Sequence, residues 1–152
     1  VGESCPDLYI AGTGSEIELI KKLTDVKIFY KGYFSDKYEI RKLIQESVGL
    51  VISSLFDPSP KTINEALACS KPVLCRNTVG TSGDLIEHKK NCYIYSGEDE
   101  MDIVEGFKWL ENNFHQQVVK NYCLNKSKTW SPTQNAKSVM DLYLDLNNDD
   151  PR

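Results

Sequence analysis

Short apolar runs alternate with amphipathic stretches along the whole chain. Leu8-Tyr9-Ile10-Ala11 has the length and composition of a buried strand and is closed by Gly12-Thr13-Gly14. Ser15 can cap a following helix whose apolar positions Ile17, Leu19, Ile20 and Leu23 cover one side. Val26 to Tyr30 predicts the next strand, ending at Lys31-Gly32-Tyr33, and Ser35 or Asp36 can start a helix through Tyr38, Ile40, Leu43 and Ile44. Val48 to Ser53, rich in β-branched residues, predicts a third strand. The pattern then repeats: a helix from about Pro60 to Ser70, a strand over Pro72 to Cys75, a short helix near Asp84 to His88, and a strand at Tyr93-Ile94-Tyr95. Three helices follow, over Glu98 to Phe114, Gln116 to Lys126 and Thr133 to Leu146.

Alternating strands and helices of this length predict an α/β fold, a Rossmann-like parallel sheet with helices on both faces. Residues 1–146 read as one such domain, and 147–152 as a polar, frayed tail. In these sheets ligands bind at the carboxyl ends of the strands, near a switch point. The candidate loops are therefore Gly12-Thr13-Gly14, Lys31-Gly32-Tyr33, Ser53 to Ser59 and Asn77 to Gly83.

Composition narrows the classes. The 152 residues suffice for a real core, and 40% hydrophobic with 26% charged residues is ordinary for a globular chain. A net charge of -4 argues against nucleic acid as a partner. The cysteines (Cys5, Cys69, Cys75, Cys92, Cys123) are odd in number and widely spaced, away from His88 and His115. That spacing argues against a zinc site and for reduced thiols in a cytoplasmic protein. No apolar run approaches the roughly 20 residues that span a bilayer. Val1 to Pro6 lead abruptly into the first strand, as expected of a piece of a longer chain.

The chemistry concentrates after the third predicted strand. Ser59 reads as a helix N-cap and Pro60 as its first residue, a strong helix-start pattern. The free amides of Lys61 and Thr62 then face the carboxyl edge of the sheet, where unsatisfied donors and a partial positive charge suit a phosphate. Asp57 precedes this helix and Glu65 lies within it. Carboxylates repel phosphate, so their natural partners are sugar or ribose hydroxyls. The same local grammar also occurs at helix starts that bind nothing.

The run Asp57-Pro58-Ser59-Pro60-Lys61-Thr62-Ile63-Asn64-Glu65-Ala66-Leu67-Ala68-Cys69-Ser70-Lys71-Pro72-Val73 resembles the signature of retaining glycosyltransferases of the family 4 type, glycosyl transferases group 1. That pattern has two acidic residues separated by seven, then alanine and, later, Pro-Val. The strand ending in Gly12-Thr13-Gly14, the strand-end Gly32, the turn Val79-Gly80-Thr81-Ser82-Gly83-Asp84 and Asn91-Cys92-Tyr93 resemble further family features in the same order. The resemblance implies the donor-binding C-terminal half of a GT-B fold and transfer of a sugar, of hexosyl type, from a nucleotide-sugar to an acceptor hydroxyl with retention. It implies that Glu65 holds ribose hydroxyls and that Asp57 stands where a glutamate binds the transferred sugar. Amides of Lys61, Thr62 and Gly80 to Ser82 would contact the diphosphate or sugar, with Ser59 beside them, and the loop at Gly32 and Tyr33 would border the nucleobase. Gly12 and Gly14 border the cleft, with a turn-shaping role beside the binding one.

No Asp-x-Asp element ends a strand here, so no obligatory metal is expected, and no cofactor beyond the nucleotide-sugar donor substrate; Asp141 and Asp145 read as a solvated helix face. An acceptor glycan, lipid or protein would be bound by an absent N-terminal domain, through which association with a membrane surface stays open. The departures are Asp57 in place of glutamate, Pro58 and Pro60 in a usually glycine-rich stretch, Gly83 as an extra residue, and no Arg-x4-Lys pair before Leu8. They leave a second reading open, an inactive nucleotide-sugar-binding module. A nicotinamide-binding domain fits less well, because Gly12-Thr13-Gly14 lacks the third glycine of that fingerprint.

Overall fold

The computed structural model describes residues 6–23, 27–80 and 84–148. They form two compact units, residues 1–40 and residues 41–152. Cys5, Val26, the Thr81-Ser82-Gly83 turn and the end of the polar tail lie outside the described residues.

In the first unit, β1 (Leu8–Ala11) and β2 (Ile28–Gly32) pair in parallel. Tyr9 and Phe29 are register partners on one face and stack with ring centroids 5.3 Å apart. A register shift after Ile10 sets Ala11 opposite Gly32, and Gly12 N donates to Gly32 O at 2.8 Å. The helix α1 (Ile17–Lys21) starts from Glu16 without a side-chain cap; the Ser15 hydroxyl turns to the Glu16 carboxylate instead. The helix α2 (Lys37–Glu46) runs across the boundary between the units, and Asp36 accepts from Tyr38 N at 2.8 Å at its start.

The second unit is built on a parallel sheet of order β3 (Leu50–Ile52), β4 (Val73–Arg76), β5 (Cys92–Tyr95). Because strand side chains alternate, β4 presents Leu74 to one face and Val73 and Cys75 to the other. Leu74 and Tyr93 pack with Leu110 of α4 (Glu100–Asn113), and Ile103, Phe107 and Trp109 of the same helix close over them. Across the sheet, Cys75 and Cys92 lie with their sulfurs 3.4 Å apart. The helix α3 (Lys61–Ala68) packs on β4 and on α5 (Gln117–Thr129), burying Ile63, Ala66 and Leu67 completely. Helices thus cover both faces, as the alternating pattern predicts. Burial pushes the Cys123 thiol up to about 12, and Cys69, Cys75, Cys92 and Cys123 are all free. The last helix, α6 (Pro132–Asn148), is exposed along its length.

The helix expected at Asp84 to His88 is absent, and residues 84–91 are turns and isolated bridges. The cause is Asn91, the one buried polar side chain among the described core residues. Its amide oxygen accepts from Glu87 N at 2.8 Å, and its nitrogen donates to Leu85 O at 3.0 Å. The backbone groups that a helix would pair with each other are thereby paired with a side chain. From outside, Lys126 Nζ donates to Asp84 O at 2.9 Å and reaches Glu87 at 2.6 Å. Hydrogen bonds from Lys126 and Lys90 hold the Glu87 carboxyl down at about 2. Asn91→Leu roughly keeps the volume and strands two backbone groups, a buried Leu85 O and a part-buried Glu87 N, so it is expected to cost about 1–3 kcal/mol. Urea unfolding of the two proteins measures this; a loss under about 0.5 kcal/mol would contradict the role given to Asn91.

Candidate functional site

Two loops leave the carboxyl ends of adjacent parallel strands, Ser53–Pro60 after β3 and Asn77–Gly80 after β4. They are joined to each other. Asp57 and Val79 form a parallel bridge, Gly80 N donates to Asp57 O at 2.9 Å, and the Thr78 hydroxyl donates to Ser54 O at 3.0 Å. The join extends the β3–β4 ladder past the ends of both strands and fixes the chain immediately before α3. It is close enough to require glycine: a Cβ on Gly80 would lie 2.8 Å from Pro58 Cα.

The start of α3 differs from the expected one by a residue. Pro60, buried and extended with φ -68° and ψ 113°, is the capping residue, and Lys61 is the first helical one. Ser59 makes no cap. Its amide donates instead to Asp57 Oδ1 at 3.1 Å, so the aspartate shapes the approach to the helix. A proline at the cap withdraws no bond, since that amide precedes the helical ladder. The first backbone bond of the helix is Ile63 N to Pro60 O at 3.1 Å. Among the described residues the amides of Lys61 and Thr62 therefore remain as free donors at an exposed helix start.

Glu65 lies on the exposed side of α3, one turn after Lys61. Helical side chains lean toward the N-terminus, and Glu65 projects from the turn that follows Lys61 and Thr62. Among the described residues no hydrogen bond or ion pair occupies it. Asp57 is half-buried and has one oxygen engaged by Ser59 N. The second unit thus brings Asp57, Ser59, Lys61, Thr62, Glu65 and Gly80 to one edge. Thr81 and Ser82 fall outside the described residues.

The remaining candidates belong to the first unit. Gly12 has φ 123° and Gly32 φ 75°, both in the left-handed region open to glycine, and Tyr30 OH donates to Gly12 O at 2.9 Å. These bonds give Gly12 a turn-shaping role. Gly14 has no unusual φ, and Tyr33 is 73% exposed.

Sequence reasoning passed over Arg76. It was legible as the charged residue that ends an otherwise apolar strand, Val73 to Cys75. His88 has a structural part that its sequence position does not signal: its Nδ1 accepts from Ile94 N at 3.0 Å, and burial lowers its pKa. Among the described residues no group of three or more His, Cys, Asp or Glu is placed to hold a metal ion, and no helix is long and apolar enough to cross a membrane.

Gly80→Ala forces its methyl into Pro58, and overpacking of this kind costs about 1–3 kcal/mol. Denaturant unfolding is expected to show that loss, and a variant as stable as the parent would mean that the loops are not joined as described.

Residues 6–129 match the family model described as glycosyl transferases group 1. A curated relative, glycosyltransferase 1 domain-containing protein 1 of Xenopus tropicalis, is 24% identical over 95% of this chain and 44% of its own length. Among solved structures, the lipopolysaccharide outer core galactosyltransferase WaaB superposes with a TM-score of 0.76 at 18% identity, over 91% of this chain and 40% of that one. Anabaena Alr3699/HepE in complex with UDP-glucose gives 0.73 at 18% identity, over 91% of this chain and 42% of its own. The chain spans less than half the length of these proteins. At such identities the likeness establishes the fold, the Rossmann-like α/β fold of GT-B glycosyltransferases. With the match over residues 6–129, the chain belongs to the glycosyl transferases group 1 family.

Proposed function

We propose that this chain is the donor-binding part of a retaining, hexosyl-transferring glycosyltransferase that takes its sugar from a nucleotide-sugar. The observation that carries the reading is the join of Asp57 O to Gly80 N. It sets a helix start with two free amides and two carboxylates beside a second strand-end loop. A diphosphate lies on the amides of Lys61 and Thr62, where donors and helix dipole favour negative charge. Glu65 receives the ribose hydroxyls, and the free oxygen of Asp57 receives a hydroxyl of the sugar. Ser59 and Gly80 border the same group, and the family resemblance adds Thr81 and Ser82 as its contacts. In the first unit the loop at Gly32 and Tyr33 serves the nucleobase, and Gly12 and Gly14 shape the turn beside it. Residues 1–146 act together as this domain.

Negative charge develops on the diphosphate as the glycosidic bond breaks. Fixed amides stabilise that charge without reorganising, which is the largest contribution such a site makes to rate. No obligatory metal or cofactor is required in this scheme. The acceptor, a glycan, lipid or protein hydroxyl, is held by a further N-terminal domain, which also decides any contact with a membrane surface. The setting is cytoplasmic.

A specific feature favours a second reading, a module that binds the donor without transferring its sugar. Asp57 is one methylene shorter than the glutamate of the family pattern and already has one oxygen on Ser59 N. Its reach to a sugar hydroxyl is correspondingly reduced.

Calorimetric titration of the chain tests the donor site. UDP-glucose is expected to bind more tightly than NAD or inorganic phosphate. Glu65→Ala should weaken it by about tenfold, the value of one hydrogen bond to a charged group. Equal affinity for all three ligands would overturn the donor reading. In a full-length enzyme, loss of both transfer and donor hydrolysis with donor binding intact would select the binding module.

A further inference from the structure

Among the described residues, Arg76 Nε is the one buried side-chain nitrogen or oxygen without a hydrogen-bond partner. Arg76 ends β4 at the carboxyl edge of the sheet, and its carbonyl accepts from Val79 N at 3.1 Å in the turn that delivers Gly80 to Asp57. Its strand partner is Tyr95, and Asn77 N donates to Tyr95 O at 2.9 Å to continue the ladder.

The guanidinium lies against Gly97. A Cβ there would be 2.5 Å from Nε, 2.7 Å from Cζ and 2.9 Å from Nη2, so any side chain at this position would displace the guanidinium. Gly97 also has φ 79°, a conformation that suits glycine and strains other residues. One face of the guanidinium is thereby covered by backbone, and its charge is close enough to Tyr95 to oppose the upward push of burial on that hydroxyl.

Nothing described neutralises this cation. Of the neighbouring carboxylates, Asp99 and Asp102 are committed elsewhere, and Glu98 and Glu100 form no ion pair with Arg76 among the described residues. Asp99 Oδ1 accepts from Met101 N at 2.8 Å, and Asp102 accepts from Ser96 N at 2.7 Å and Tyr93 OH at 3.1 Å. Among the described residues no ion pair or side-chain hydrogen bond involves Arg76. A half-buried guanidinium with a buried, unsatisfied N–H is costly unless an anion completes it. Its planar fork of donors matches the oxygens of a phosphoryl group.

We propose that Arg76 is a phosphoryl-binding residue: its guanidinium, braced on Gly97 at the end of β4, takes an oxygen of the donor's diphosphate. The assignment rests on the donor reading above and adds to it a side-chain cation that the family signature in this sequence does not include. The end of β4 and the start of α3 both lie at the carboxyl edge of the sheet, where Arg76 and the backbone amides then share the diphosphate.

Calorimetry of this chain with UDP and with inorganic pyrophosphate tests it, alongside Arg76→Met, which keeps the stem, and Arg76→Lys, which keeps the charge. A charge-assisted pair predicts a loss of roughly 10- to 100-fold for both ligands in Arg76→Met. Arg76→Lys should fall between, and the melting temperature of Arg76→Met should not fall, since no internal partner is lost. Unchanged affinity of Arg76→Met for both ligands would overturn the proposal while leaving the donor site standing, and a lowered melting temperature would make Arg76 a structural residue. Parent protein that ignores UDP but binds pyrophosphate through Arg76 would sink the donor reading alone. Parent protein that binds neither would sink both.

Discussion

The hydrogen bond from Gly80 N to Asp57 O, with the bridge between Asp57 and Val79, ties together two loops that leave neighbouring parallel strands. A loop following a strand is ordinarily free to choose its path. Here the path is set by backbone pairing that continues the ladder, by Thr78 on Ser54 O, and by a contact with Pro58 that only glycine permits. The position of the α3 start follows from this, because Pro60 comes three residues after the joined Asp57. So do the direction of the free amides and the placement of Glu65 one turn further on. A rigid donor array aimed at one place is what distinguishes an anion site from a helix start that merely faces water.

The architecture was legible in the sequence because it depends on periodicity. Apolar runs such as Val73 to Cys75 belong to strands buried on both faces, and the spacing of Ile63, Ala66 and Leu67 belongs to a helix buried on one. Boundaries were less legible. The second and third strands lie one or two residues from their expected limits, and Pro60 caps α3 where Ser59 was expected to. At the start of α3 a local side-chain bond decides: Asp57 captures the amide of Ser59, and Pro60 takes the cap. The helix expected at Asp84 to His88 failed for the same reason, since Asn91 supplies the hydrogen bonds from six residues or fewer away. No window of hydrophobic period contains that information.

The acidic pair and the helix start could be read from spacing alone, and the family pattern gave each a role. What could not be read is which atoms remain free. Asp57 has one oxygen in use, Glu65 has none, and the difference is visible only in three dimensions. Arg76 stood in plain view as a charged residue closing an apolar strand, but its significance lies in what it lacks, a partner for a buried N–H. Gly12 and Gly32 lie in the other unit, where Gly12 N and Gly32 O close the β1–β2 ladder. Their part in any cleft rests on family resemblance.

The central claim is that the joined loops present the first amides of α3 to a diphosphate. Amide chemical-shift mapping of the isotopically labelled chain, titrated with a nucleoside diphosphate, tests it most directly. The account predicts that the largest shifts fall on Lys61, Thr62 and Gly80. Saturable binding whose shifts cluster elsewhere, leaving those three amides unmoved, would contradict it.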